Sequence, residues 1–323
     1  MSHARPKATL VILLAPVLPR VLAPTFKDAS FCPVFLPSGL VRGIPPTQPP
    51  ALQAQIVLTL SVGSLRPLLA AKDPRCLTLL DVPRFAATEL GLRGLNLPTG
   101  LLAGKAASDL DKLRDLSDKA GCPCLVLVEE TPLGFGDPRT EVRAAIEDRM
   151  RRLAAAANRL GCRDIAVRCL AAATDADFDR TAAGLKVSLH EIDRYDLNLL
   201  VIPTEGLTLD SGKLTDLIKK VGGFRIGSLP SFGHAHASGD LEKTLRKLAP
   251  YAESIDATVV GFKSDKAGGE KHLPFDLKVC VESVRAVGYV NTLALDYVGK
   301  GDLTEDLVRA RGILEQAVAS DEE

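Results

Sequence analysis

Acidic, basic and imidazole side chains stand just after, or inside, the apolar runs of this chain. They are Glu129 and Glu130, Arg168, Thr204 and Glu205, Ser231 with His234 and His236, Asp256, Lys263, and Asp296. Among them Asp256, Asp296 and Glu205 have the chemistry of a proton-transfer set, in which one carboxyl group gives up a proton while another accepts it. Glu129, Arg168, Ser231, His234, His236 and Lys263 read as the lining of a ligand pocket. Asp256 is the sharpest signal. It lies between Ile255 and Ala257 in a strand-length apolar run, where an unpaired buried carboxylate is costly, so it must face a polar mouth or hold a partner. The others have plainer readings beside the functional one. Glu129 and Glu130 also read as a solvated pair capping the next helix, and His234-Ala-His236, in a stretch of Gly, Ala and Ser, also reads as a surface loop.

The elements that must position these groups are legible from residue 54 onward. Strand-length apolar runs recur at Ile56–Leu60, Gly94–Leu97, Cys124–Val128, Ile165–Leu170, Leu199–Ile202, Phe224–Leu229, Ile255–Val260 and Leu293–Tyr297. Helical periods lie between them. One is capped by Ser108 with Asp111 and stops at Gly121. Another opens at Asp137-Pro138, repeats Val142, Ile146, Met150, Leu153, Ala157 and Leu160, and stops at Gly161. The last starts at Asp302 with Glu305 three residues on. Near-continuous apolar strands alternating with amphipathic helices require a parallel sheet covered by helices, and eight such units fit an α/β (β/α)8 TIM barrel. A doubly wound open sheet is the alternative. No Gly-rich dinucleotide fingerprint or Walker A sequence follows a strand, and Gly222-Gly223 precedes one. In a barrel the chemistry sits at the C-terminal strand ends, where the polar residues above fall.

Composition narrows the partners. The chain has 323 residues, with 40 Lys+Arg against 40 Asp+Glu, so no net field recruits nucleic acid or an acidic membrane. Aromatic residues make up 4% with no Trp, which leaves little from which to build stacking platforms for single strands. The hydrophobic share of 46% suits a large core. Seven cysteines at irregular spacing read as reduced thiols and a cytoplasmic address, with Cys122-Pro-Cys124 entering a strand and not a zinc site. Lys263, Lys266, Gly268-Gly269 and Lys271 form a loose basic loop, without the glycine-loop-to-helix pattern that holds phosphate.

Residues 1–50 hold 10 of the 21 prolines and a net charge of +4. Ala8–Leu18 followed by Val21-Leu22-Ala23 has the outline of an export signal, but Pro16, Pro19 and Pro24 interrupt it. We expect residues 1–53 to be a poorly ordered Pro-rich extension and residues 54–323 to be the barrel.

Four segments carry a family resemblance: Asp81-Val-Pro-Arg-Phe-Ala-Ala-Thr-Glu-Leu-Gly-Leu-Arg-Gly-Leu-Asn-Leu97; Asn198-Leu-Leu-Val-Ile-Pro-Thr-Glu-Gly-Leu-Thr-Leu-Asp210; Leu229-Pro-Ser-Phe-Gly233; and Gly288-Tyr289 leading to Leu295-Asp-Tyr-Val-Gly299. In their order and spacing the chain, from about Leu58 to its end, resembles the xylose-isomerase-like TIM-barrel family of sugar phosphate isomerases and epimerases. The resemblance implies one divalent cation (Mn2+, Mg2+, Co2+ or Zn2+) held by Glu, Asp, His and Glu from the last four strands. Those positions fall on Ile202, Ser231, Asp256 and Asp296. Hard cations depend on the number and charge of their oxygen ligands, so no metal is expected there. Glu205 with His234 or His236 offers a displaced ligand set. Three functions stay open. One is a sugar-binding barrel with a degraded metal site and altered or absent catalysis. The second is an active aldose–ketose isomerase or epimerase that uses a displaced metal or a metal-free carboxylate pair. The third is a scaffold whose barrel presents its helices. The expected partner is a small sugar-like molecule, with a homo-oligomer compatible and neither nucleic acid nor membrane.

Overall fold

Every long strand turns apolar residues toward the helices, and the chain folds so that this face is covered. A computed structural model describes residues 55–70, 76–264 and 270–319. The strands are β1 (Val57–Ser61), β2 (Leu95–Pro98), β3 (Cys124–Val128), β4 (Asp164–Arg168), β5 (Asn198–Ile202), β6 (Ile226–Ser228), β7 (Ser254–Val259), the short hairpin strands β8 (Phe262–Ser264) and β9 (Glu270–His272), and β10 (Thr292–Tyr297). The helices are α1 (Arg66–Leu69), α2 (Val82–Thr88), α3 (Ala107–Lys119), α4 (Thr140–Leu160), α5 (Asp175–Asp193), α6 (Ser211–Val221), α7 (Phe232–Ala237), α8 (Leu241–Leu248), α9 (Leu277–Arg285) and α10 (Leu303–Ala319). Leu52–Glu323 makes one unit. The Pro-rich extension expected over residues 1–53 lies outside the described residues, as do Lys266, Gly268 and Gly269 of the basic loop.

Eight strands form one parallel sheet in the order β6-β5-β4-β3-β2-β1-β10-β7. Each strand therefore lies beside its neighbour in the chain, as in a barrel and unlike a doubly wound sheet, whose order reverses. The two edges of this order, β6 and β7, meet through single parallel bridges, Ser228 with Ala252 and Ser231 with Asp256. Across this seam the Asp256 N–H donates to the Pro230 carbonyl at 2.9 Å. The structure is a TIM barrel.

Alternation along the strands divides the interior in two. Leu58 and Leu60, Leu95 and Leu97, Ile165 and Val167, Leu199 and Val201, Ile255 and Ala257, and Leu293 and Leu295 join the layer between sheet and helices. The residues between them face the lumen. From β3 to β6 the middle of the lumen is apolar, filled by Val126, Ala166, Leu200, Ile202 and Leu229, with Asp164 and Arg168 at the two ends of β4. From β7 through β10 and β1 to β2 the alternation places Ser254, Asp256, Thr258, Asp296, Thr59, Ser61 and Asn96 there. The Asn96 amide crosses the lumen to donate to Ser254 Oγ at 3.2 Å.

Helix ends follow local chemistry, with three departures from expectation. Gly161 closes α4 in the left-handed conformation at φ 79°, and Asp302 Oδ1 accepts the Glu305 N–H at 2.9 Å ahead of α10. The helix expected to cap on Ser108 begins at Ala107 instead. Asp109 Oδ2 reaches back to the Ala106 N–H at 2.9 Å, which satisfies the helix start without Ser108. The helix expected at Asp137 begins at Thr140, because the Asp137 carboxylate takes the Arg139 N–H at 2.9 Å and its guanidinium at 2.7 Å. The stretch around His234 and His236, with a loop among its readings, is the helix α7. No described helix is long and apolar enough to cross a membrane.

Candidate functional site

Asp256, Asp296 and Arg168 come together at the C-terminal end of the lumen. The register pairs Asp256 with Ala294 and Asp296 with Thr258, so the two acids sit one pleat apart on adjacent strands, both facing inward. Arg168 ends β4 beside Ile202, and its Nη1 donates to the Glu129 carbonyl at 3.3 Å. Its positive charge acts on both carboxyl groups. Asp256 is half-buried.

The two carboxyl groups differ in their surroundings. Burial pushes Asp256 well above the usual carboxylate range, the neighbouring Asp296 adds to this, and Arg168 opposes it. Burial also raises Asp296, but hydroxyl groups of Ser61 and Ser64 stabilise its ionised form, and Arg168 helps. Ser64 is oriented by the backbone: its Oγ accepts the Tyr297 N–H at 2.7 Å, so its own proton is free to point to Asp296 Oδ1 at 3.5 Å. Burial thus disfavours charge on both acids, more strongly on Asp256, while the hydroxyl groups beside Asp296 favour its ionised form.

The other anticipated residues are placed differently. Glu129 is fully buried and tied down by the Arg149 guanidinium, by the Thr131 N–H at 2.9 Å and by Thr99 Oγ1 at 3.4 Å. Glu130 is exposed and holds Arg66 at 2.6 Å and the Gly100 N–H at 2.9 Å. Ser231 caps α7 by accepting the His234 N–H at 3.1 Å. The His234 Nε2 donates to the Leu209 carbonyl at 3.0 Å, and its buried Nδ1 has no hydrogen-bond partner among the described residues. His236 is exposed and packs on the Phe275 ring at 5.3 Å between centroids. Glu205 is exposed and lines a cleft of about 480 Å3 with Asp137, Asp177 and Gly206. Lys263 is exposed opposite Lys271 in the β8–β9 hairpin. Cys122 and Cys124 are buried, and burial pushes their thiols up to about 12 and about 11. Among the described residues no group of three His, Cys, Asp or Glu side chains is arranged to hold a metal ion.

The candidate site thus places two inward-facing acids and a guanidinium at the mouth of a parallel barrel. Comparison with solved structures gives that barrel a closer description. A D-psicose 3-epimerase determined in the presence of D-fructose superposes with a TM-score of 0.66 at 12% identity, covering 81% of this chain and 99% of that one. The IOLI protein with a zinc atom gives 0.63 at 11% identity over 82% and 99%. The 3-keto-D-glucoside 4-epimerase of E. coli gives 0.61 at 14% identity over 80% and 100%. The fold is that of the xylose isomerase-like TIM barrels. No protein-family model matches the chain, and no curated protein matches it in sequence.

Within this xylose isomerase-like barrel, sequence reasoning did not single out Ser61, Ser64, Asn96 or Arg149. A serine just past the first apolar run was the available signal for Ser61. Nothing local marks Arg149, which lies on α4 and meets Glu129 only through the fold.

Proposed function

We propose that the barrel mouth binds a small sugar-like polyol through Asp256, Asp296 and Arg168, without the divalent cation that metal-dependent relatives of this fold use, and with altered or absent turnover. The observation that carries this is the acid pair set against a guanidinium. Alternating carboxylic acid, carboxylate and guanidinium groups supply both donors and acceptors to the hydroxyls of a polyol. The apolar lumen half formed by Ile202, Leu200 and Leu229 suits the C–H face of such a ring. The residues at the resemblance's metal positions do not fit a divalent cation. Ile202 offers no donor atom, Ser231 is engaged in capping α7, and Arg168 adds a positive charge whose influence reaches both acids.

The protonation pattern favours a second reading, a metal-free isomerase or epimerase in which Asp256 acts as the acid and Asp296 as the base. One set of measurements separates the two. Ketoses, inositols and their phosphates are screened for binding by ligand-observed NMR and for uptake of solvent deuterium at carbon. We expect binding that Asp296→Ala weakens by at least about tenfold, without deuterium uptake. Uptake abolished by either Asp256→Asn or Asp296→Asn selects the second reading. A stoichiometric cation retained after purification with Mn2+, Co2+ or Zn2+, and released by Asp296→Ala, overturns both.

A further inference from the structure

Arg168 stands where charge is needed and where no side chain of β5 or β6 supplies it. Its neighbour in register is Ile202, it lies on the lumen side of β4 in line with Ala166, its guanidinium is anchored on the Glu129 carbonyl at 3.3 Å, and its charge is felt by the acids of β7 and β10. We propose that the Arg168 guanidinium is the built-in cation of this barrel mouth, excluding a divalent ion from the Asp256–Asp296 pair and orienting the oxygen atoms of a bound polyol in its place. This rests on reading the mouth as the ligand site, as above.

Three features support it. The first is geometry. A residue at the end of β4 can span the mouth to β7 and β10 because the intervening lumen positions on β5 and β6 are aliphatic and contribute no competing acceptor. The second is the chemistry of the group. A guanidinium is planar, permanently charged and carries five N–H donors, so it can bond a carboxylate and still face a ligand oxygen. The third is charge. Arg168 carries a permanent positive charge at the mouth, and a divalent ion entering there would meet its repulsion. Arg168 would therefore act as a positioning and specificity residue, not as an acid or base. Chelators would leave ligand binding unchanged.

The test is a titration of the full chain with MnCl2, followed by calorimetry and by the electron paramagnetic resonance of free Mn2+, with no sugar present. Wild-type protein is expected to show no saturable site up to millimolar Mn2+. Arg168→Met is expected to gain one saturable site at least about tenfold tighter. Arg168→Lys keeps the charge and gains nothing. Adding Asp256→Asn to Arg168→Met removes the gained site. Ile202→Glu provides a check that does not require Arg168 to be replaced, since the new carboxylate lands beside the guanidinium. It is expected to pair with Arg168 and recruit no Mn2+, and to tighten Mn2+ further only when combined with Arg168→Met. Equal Mn2+ affinity in wild type and Arg168→Met overturns the inference, as does a tight Mn2+ site created by Ile202→Glu with Arg168 in place. Failure of the sugar screen together with a gain of Mn2+ in Arg168→Met would sink the ligand reading and leave the charge role standing. The converse pattern would do the opposite.

Discussion

Buried carboxyl groups in this barrel are handled in different ways. Glu129 is paired with Arg149, Asp256 and Asp296 are both raised by burial with the charge of Arg168 opposing, and Asp164 is buried with a neutral partner. Asp164 Oδ1 accepts the Asn198 amide at 2.8 Å. Burial raises its carboxyl to about 6, the Asn198 bond opposing, Glu253 adding and Arg163 opposing. A carboxyl raised by folding binds its proton more tightly in the native state. Its contribution is complete below the unfolded value near pH 4 and is lost as the pH climbs through about 6. The difference between those two values corresponds to about 3 kcal/mol at most. Asp164→Asn keeps an acceptor for Asn198, so it should raise stability by about 1–3 kcal/mol above pH 7 and flatten the slope between about pH 4 and 6, as read from urea unfolding at several pH values. An unchanged slope would show that another group carries it. Asp256 and Asp296 could be singled out from the sequence because an acid inside an apolar strand demands an explanation. Asp164 could not, since it precedes the apolar run and only the register beside Asn198 puts it in the lumen.

Helices and strands are readable where the pattern is long and unreadable where tertiary contact overrides it. The twenty-one residues of α4 repeat their apolar face so often that only the first turn departs from the expected bounds. The six residues of α7 carry too short a pattern to separate from loop, and the β8–β9 hairpin has three residues per strand and a charged sequence. Gly184 is a case in which local preference and packing disagree. It lies within α5, where glycine is a poor choice on propensity, yet a Cβ there would stand 2.0 Å from the Phe135 carbonyl oxygen. The absence of a side chain lets α5 lie directly on the loop that leads from β3 into α4. Gly184→Ala should gain about 1 kcal/mol in helix propensity and lose more in displaced backbone, for a net destabilisation of about 1–2 kcal/mol in denaturant unfolding. A more stable variant would mean that the loop yields without cost.

For the molecule as a whole, the barrel was legible because eight amphipathic repeats leave few other ways to cover both faces of a parallel sheet. The division of its lumen into an aliphatic and a polar half was not, because it depends on which register each strand takes. Nor was the thin join in the ring. Seven of the eight strand contacts are ladders of paired residues, whereas β6 and β7 touch only at isolated bridges, one of which involves Asp256 itself. A hoop fastened by so slight a clasp opens there first. Amide hydrogens of residues 254–259 should exchange faster than those of residues 199–201 in the free protein, by mass-spectrometric or NMR detection. Equal protection of the two stretches would contradict this. Asp256 belongs both to the clasp and to the pocket, so a guest gripping its carboxyl group on one side and Ser231 on the other would bolt the hoop shut. Occupancy would then be felt as rigidity of the entire ring, and slowed exchange at the clasp would reveal a guest even where no chemistry follows.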